Sequence, residues 1–534
     1  MPLIRLFFRT GPLLLLLLGA RHLDAQPACY LHLDKDFYVN GEYIWYRLYL
    51  PSAFEQAQPL LGVQVLDSTG RVYHRSYLRV RPGRGAAGYY HIPYDIRPGM
   101  YRLLITATAP GRTHVLADAV LPVYNDLAIP SDPPLRPEPV QALPPGDMPV
   151  LRLAVPPVVP DPRSEVALDV QSSAGRLSGH GSVSVVADGA EVPVLVQGTL
   201  PDFVPDTLVR LAGYLTDNGG KPVETGSLGV YRIDARRLGG RTNSDADGYF
   251  EVMLEPGVVA DQIQFVDYFL PEVKVRLVEA ALGQVSQPFY YTARRLAYLE
   301  DSRRRKKIYQ RFDTWEQPLP PVPDTVAAQV LQPDLSLRPG DYDYFPDLRT
   351  FMEEVLTPLT LRHKRDGRVV AKLFNPETDI RAFYPRAPLF IVDGKMTWSA
   401  AFVASLDIRN IERIDYHYHF PSLVRQFGFL GVNGLVHFHL KNPADPFPPQ
   451  DARNIFLLDP IQAPQSFACP EDLPAGVPVF RPVVYWAPDV PVDAQGHMQT
   501  RFQTGDDRGD FWVHIVALAA DGRLVWGAAP FVQP

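Results

Sequence analysis

Four histidines fall in two pairs spaced two residues apart, His417 with His419 and His437 with His439. Residues i and i+2 of an extended strand share a face, so each pair presents two imidazoles side by side. If the two strands are neighbours, four nitrogens can converge on a borderline metal such as zinc. The competing reading is a polar strand face turned to solvent. Catalytic signatures are missing from the sequence: Gly-x-Ser-x-Gly, His-Glu-x-x-His, a P-loop and Cys-x-x-Cys do not occur. The expectation is a non-enzyme with no catalytic residue and no cofactor, whose metal candidate is the set His417, His419, His437 and His439.

The elements that must position these histidines are short. Leu389 to Val392 is an apolar run closed by Asp393-Gly394, which reads as a buried strand and a tight turn. Ser405 to Asn410 connects to a second strand, Ile411 to Phe420. Its alternation puts Ile414, Tyr416 and Tyr418 on one face and Asp415, His417 and His419 on the other. Gly431 and Gly434 supply positive-φ or close-approach positions before a third strand, Leu435 to Leu440. A small α+β unit follows from this order. Its runs Leu389-Phe-Ile-Val-Asp-Gly394, Ile411-Glu-Arg-Ile414 and Gly431-Val-Asn-Gly434 resemble the plug domain of TonB-dependent outer-membrane receptors. Such receptors continue into a barrel of about 22 strands, which at roughly 10 residues each needs over 200 residues. Here 94 residues follow Leu440, beginning with the proline-rich stretch 442–449. The resemblance therefore implies a borrowed plug-like module without transport through a barrel of its own.

Composition narrows the class. The 534 residues allow three to five domains. Their 55 prolines are about twice the usual ~5% share and favour short strands and turns over long helices. A net charge of −7 gives no reason to expect nucleic acid or a lipid surface as partner. The basic run Arg303-Arg-Arg-Lys-Lys307 lies in a helical stretch from about Thr292 to Phe312 and reads as a solvated helix face. Arg5 and Arg9 before the apolar Leu13 to Leu18 form a secretory signal peptide, with cleavage expected after Ala25. That run is too short to span a membrane, which takes about 20 residues. Cys29 and Cys469 either pair or stay free thiols, and lipidation of Cys29 is a further alternative.

Taken in order, the chain reads as a signal peptide (1–25), a β-sandwich (26–125) and a Pro-rich linker (126–149). A second short sandwich (150–204) and a third (205–290) come next, then a helical and Pro-rich linker (291–339). The α+β unit (340–441), a linker (442–465) and a last sandwich (466–534) complete it. Asn40-Gly41 is a hairpin signal in the first sandwich. Asp245 and Asp247 before Gly248 read as turn residues in preference to a calcium loop. The phrase from His32 to Trp45 resembles the opening of macroglobulin-type domains in envelope proteins of Bacteroidota-type bacteria. Residues 208–252 resemble a carboxypeptidase-regulatory-like sandwich, and Tyr485-Trp-Ala-Pro-Asp489 resembles the closing domain of the same envelope family. The thioester of true macroglobulins needs a Cys-Gly-Glu-Gln type sequence, whereas Cys469 precedes Pro-Glu-Asp.

The fold expected is mainly β and multidomain: Ig-like or macroglobulin-like β-sandwiches in series plus one small α+β plug-like domain. The resemblances imply an exported, periplasmic or outer-membrane-associated scaffold with an envelope protein as partner. An alternative is a binding protein for glycan or peptide, using Phe37, Tyr38, Tyr43, Trp45 and Tyr46 as a platform. A third is a thioester-less, protease-binding macroglobulin relative.

Overall fold

Strands form where aromatic and β-branched residues alternate with polar ones, because only one face of each run is buried. Tyr249–Leu254 shows the rule, burying Phe250, Val252 and Leu254 and leaving the residues between them half exposed. A computed structural model of the chain describes residues 28–138, 151–172, 176–187, 192–270, 272–278, 287–314, 331–377, 381–442, 447–463, 467 and 476–534. The expected signal peptide and Cys469 lie outside these residues. The described chain is mainly β, with its strands in eight sheets.

The first sandwich packs a five-stranded sheet, built from Tyr38–Val39, Leu60–Asp67, Val72–Arg79, Gly99–Ala109 and Arg112–Tyr124, against a four-stranded one. The latter contains Ala28–Leu33, Tyr43–Tyr49 and the edge strand Ala86–His91, and it is completed by Val194–Thr199 from far downstream. Asn40-Gly41 does form a turn, but not a hairpin: Tyr38–Val39 pairs with Arg112–Tyr124, while Tyr43–Tyr49 pairs in the opposite sheet. Cys29 is fully buried and makes no disulfide among the described residues, and its thiol donates to Leu116 O at 3.1 Å. An acyl chain on this sulfur would have to occupy the core, so the lipidation alternative fails. Burial pushes the thiol up to about 12.

The sandwiches expected at 150–204 and 466–534 are one domain. Glu165–Ser172 pairs with Met498–Gln503, and Leu177–Ala187 lies between Val483–Pro491 and Gly509–Ala519. Val183 and Val185 from the first segment meet Val513 and Ile515 from the second in a shared core. Full burial of such side chains contributes about 1.5–3 kcal/mol each. Neither segment obtains it alone, which is why the two halves combine. The expected linkers also contribute strands. Ile455–Leu458 extends the sandwich expected at 205–290, the central one, through Asp261–Asp267, and Leu335–Leu337 adds to the α+β unit through Ile411–His417. The domains are therefore interleaved and not strung in series.

The helix Ala293–Arg311 matches the expected span, and its N-cap Thr292 accepts from Arg295 N. Its basic run is only in part a solvated face, with Arg304 and Lys307 exposed and Arg305 buried. Arg295, Leu299, Ser302, Arg305 and Tyr309 are buried at helical spacing. Lys306 Nζ contacts Asp126 Oδ2 and Asn40 O, both at 2.6 Å, and Arg303 donates to Asp126 O. Polar groups of the first sandwich attract the cations, so the buried stripe is largely hydrophilic.

Candidate functional site

The α+β unit carries the histidines on a five-stranded sheet ordered Leu335–Leu337, Ile411–His417, Leu435–Leu440, Leu389–Val392, Lys395–Thr397. Leu389–Val392 and Leu435–Leu440 lie where the sequence puts them, Ile411–His417 starts where expected, and the turn Asp393-Gly394 has positive φ at both residues. Gly434 has φ +80°, and a Cβ there would fall 2.3 Å from a methyl of Leu373. Ile414, Tyr416, Val436 and Phe438 fill the core on one face of the sheet. The opposite face holds the polar set.

On that face His437 is the register partner of Asp415, and His439 that of Arg413. His439 Nε2 lies 2.8 Å from Asp415 Oδ2, and the rings of His437 and His439 are 3.8 Å apart. Potential donor atoms of Asp415, His437 and His439 all fall within 4.8 Å of one another. Ser336 Oγ donates to Asp415 Oδ1 at 2.7 Å. Arg413 closes the group: its Nε donates to Asp415 Oδ2 at 3.1 Å, and a terminal guanidinium nitrogen lies 3.1 Å from His439 Nε2. Burial pushes the Asp415 carboxyl up, but the bonds from His439 and Ser336 and the charge of Arg413 outweigh it and hold the carboxyl well below its ordinary range. Burial, reinforced by His439 and Arg236, pushes His437 down to about 2.

The other two candidate histidines are not part of this group. His417 sits on the same face opposite Leu435, and its Nδ1 is buried with no hydrogen-bond partner among the described residues. His419 is off the sheet. The strand expected to run to Phe420 ends at His417, because Pro421 in the first turn of Phe420–Phe427 starts a helix. His419 stands at that helix N-cap with Nδ1 2.8 Å from Ser422 Oγ. Asp415 was recoverable from the sequence, since the alternation that places His417 puts it on the same face.

A second feature lies where the first, split and central sandwiches meet. A cleft of about 270 Å³ is lined by Trp45, Tyr89 and Trp486 and rimmed by Arg79, Arg81 and Arg84. Arg84 pairs with Asp489 at 3.1 Å and Arg79 with Glu255 at 2.8 Å. One wall is the edge strand Ala86–His91. Beside it Gln462 acts as a surrogate strand, accepting from Tyr89 N at 3.1 Å and donating to Tyr89 O.

The aromatic platform does not form. Phe37, Tyr38, Tyr43, Trp45 and Tyr46 are each at most 5% exposed and pack inside or between domains. His32 and Ser182 lie 2.7 Å apart, but both side chains are fully buried under Tyr49 and Trp486, so the pair bonds one sandwich to another. Asp245 Oδ1 accepts from Asp247 N and Tyr249 N, as a turn requires.

No family model matches the chain, and no curated protein does. Among solved structures, Salmonella α2-macroglobulin reacted with methylamine aligns over 95% of this chain and 39% of its own, at 10% identity and a TM-score of 0.24. Trypsin-activated α2-macroglobulin from Escherichia coli aligns over 95% of this chain and 42% of its own, at 13% identity and a TM-score of 0.24. The native conformation of the E. coli protein gives 96%, 40%, 12% and 0.24 for the same measures. The chain spans about two fifths of the length of the structures it matches.

Proposed function

We propose that the chain is a non-enzymatic, exported scaffold of the cell envelope that engages a protein partner, an outer-membrane receptor or a secretion component. The observation behind this reading is the edge strand Ala86–His91 at the mouth of the inter-domain cleft. There a side-chain amide holds the place of a neighbouring strand. An extended segment of a partner can displace one glutamine, pair with the edge and set its side chains against Tyr89 and the arginine rim. Interleaved strands fix the three surrounding sandwiches as one frame, which suits a docking platform. The plug-like unit is the second candidate module for contact with a receptor.

The test is a cross-linked affinity pull-down of the tagged mature protein from envelope fractions of its host, alongside two variants. Ala87→Pro removes a backbone donor from the outward side of the edge, and deletion of 340–441 removes the plug-like unit. A partner recovered by the wild type and lost with Ala87→Pro supports docking at the edge. Loss with the deletion alone moves the interface to the plug-like unit. Recovery of no partner by the wild type overturns the scaffold reading.

A further inference from the structure

We propose that Asp415, His437 and His439 form a binding site for a divalent metal of the zinc class, and that the guanidinium of Arg413 occupies the place of the ion in the metal-free chain. The proposal is independent of the partner-binding reading and concerns a different surface.

The hydrogen bonding around His439 carries the argument. Its Nε2 has the Asp415 carboxylate at 2.8 Å and a guanidinium nitrogen of Arg413 at 3.1 Å. A single ring nitrogen cannot serve both. With a proton it donates to Asp415 and faces an N–H of Arg413; without one it accepts from Arg413 and opposes a carboxylate lone pair. A cation in place of the guanidinium removes the conflict, because the lone pairs of Nε2 and Oδ2 then converge on one positive centre. Tetrahedral zinc with bonds of about 2.0–2.2 Å holds its ligands about 3.3–3.6 Å apart. Donor atoms already within 4.8 Å of each other reach that spacing by small side-chain rotations.

The surroundings fit such a site. Ser336 holds the other carboxylate oxygen, as outer partners of metal ligands do. His437 and His439 project from one strand, and Asp415 from the strand beside it, so the backbone ladder fixes their separation. Arg413 is about one-third exposed and has room to swing outward. The fourth position is left for a water, since His417, on the same face, stands outside the cluster. Histidine nitrogen with a single carboxylate selects zinc and its borderline neighbours over calcium or magnesium, which prefer all-oxygen shells.

The experiment equilibrates the full mature chain with zinc chloride, removes excess by desalting, and reads stoichiometry by elemental mass spectrometry and affinity by titration calorimetry. The expected result is one zinc per chain. Arg413→Ala should bind about tenfold more tightly, because the competing cation is gone. His437→Gln and His439→Ala should each weaken binding at least tenfold. Cobalt substitution should give the strong visible absorption of a four-coordinate site in the wild type and not in His437→Gln. Should His439→Ala fail to fold, His437→Gln carries the same readout. No zinc retained by either the wild type or Arg413→Ala overturns the proposal, as does zinc bound equally by all four proteins.

Discussion

Lys306 Nζ lies 2.6 Å from Asp126 Oδ2, and the side chain of Asp126 has no exposed surface. Ser302 Oγ donates to the same oxygen at 2.7 Å, so the helix Ala293–Arg311 is fastened to the first sandwich by bonds to one buried carboxylate. Removing one member of a buried pair leaves an uncompensated charge, at a cost of about 3–5 kcal/mol. Lys306→Met should therefore lower unfolding free energy by about 3 kcal/mol in urea titration and free the helix for early proteolysis. A loss below about 1 kcal/mol would show that the pair is solvated and does not fasten the helix.

Gly198 tests the interleaving of the domains. A Cβ at this position would fall 1.7 Å from the carbonyl oxygen of Leu116, which is backbone and cannot rotate away. Gly198→Ala should detach Val194–Thr199 from Ala28–Leu33, costing at least about 3 kcal/mol. Hydrogen exchange would show the loss of protection confined first to 28–33 and 194–199. Unchanged protection in both strands would contradict the pairing.

His32 sets a pH dependence. Burial, then the neighbouring charges of His514 and Arg47, push its pKa well below the ordinary value of 6.5. The folded state thus holds His32 neutral while the unfolded chain binds a proton below about pH 6.5, so this contribution to stability is complete above that pH and lost as the pH falls. The slope is about 1.4 kcal/mol per pH unit. Relative to His32→Asn, which cannot titrate, the wild type should lose about 2 kcal/mol between pH 6.5 and 5. A constant gap between the two proteins over that range would mean that His32 takes up its proton in the fold as readily as in the unfolded chain.

Gln462 can be examined without a partner. In Gln462→Ala the Tyr89 amide loses its acceptor and should exchange with solvent at least about tenfold faster, while amides bonded to Tyr43–Tyr49 should keep their protection. Equal exchange at Tyr89 in both proteins would show that the edge is covered by something other than the glutamine.

Whatever depends on local chemistry was readable from the sequence. Leu389–Val392, Leu435–Leu440 and the helix Ala293–Arg311 form where their patterns place them, because the apolar period and the caps Thr292 and Asp393-Gly394 act within a few residues. Asp415, His417, His437 and His439 were all on the expected face, since alternation alone decides it. His419 escaped because Pro421 acts on the residues before it as a helix start, and alternation cannot register that.

Partners distant in sequence were not readable. Nothing within Val194–Thr199 says that its neighbour is Ala28–Leu33, nor within Leu177–Ala187 that it lies beside Gly509–Ala519. Arg305 and Lys306 look the same whether their helix faces water or the Asp126 carboxylate, because a polar buried stripe and a polar solvated one have the same period.

The split sandwich also dictates an order of events. Ser184 and His514 are register partners 330 residues apart in the chain. During synthesis from the N-terminus, the strands Leu151–Ala154, Glu165–Ser172 and Leu177–Ala187 emerge long before those that complete their sheets. Until then they expose unpaired edges and an uncovered apolar face, a state prone to wrong association. Contacts of such long range are slow to form. The central sandwich and the α+β unit, encoded between the two halves, can fold first and bring them together. Final closure of this domain is thus a late step, and a nascent chain stalled before Val483 depends on a chaperone or on its neighbours to stay in solution.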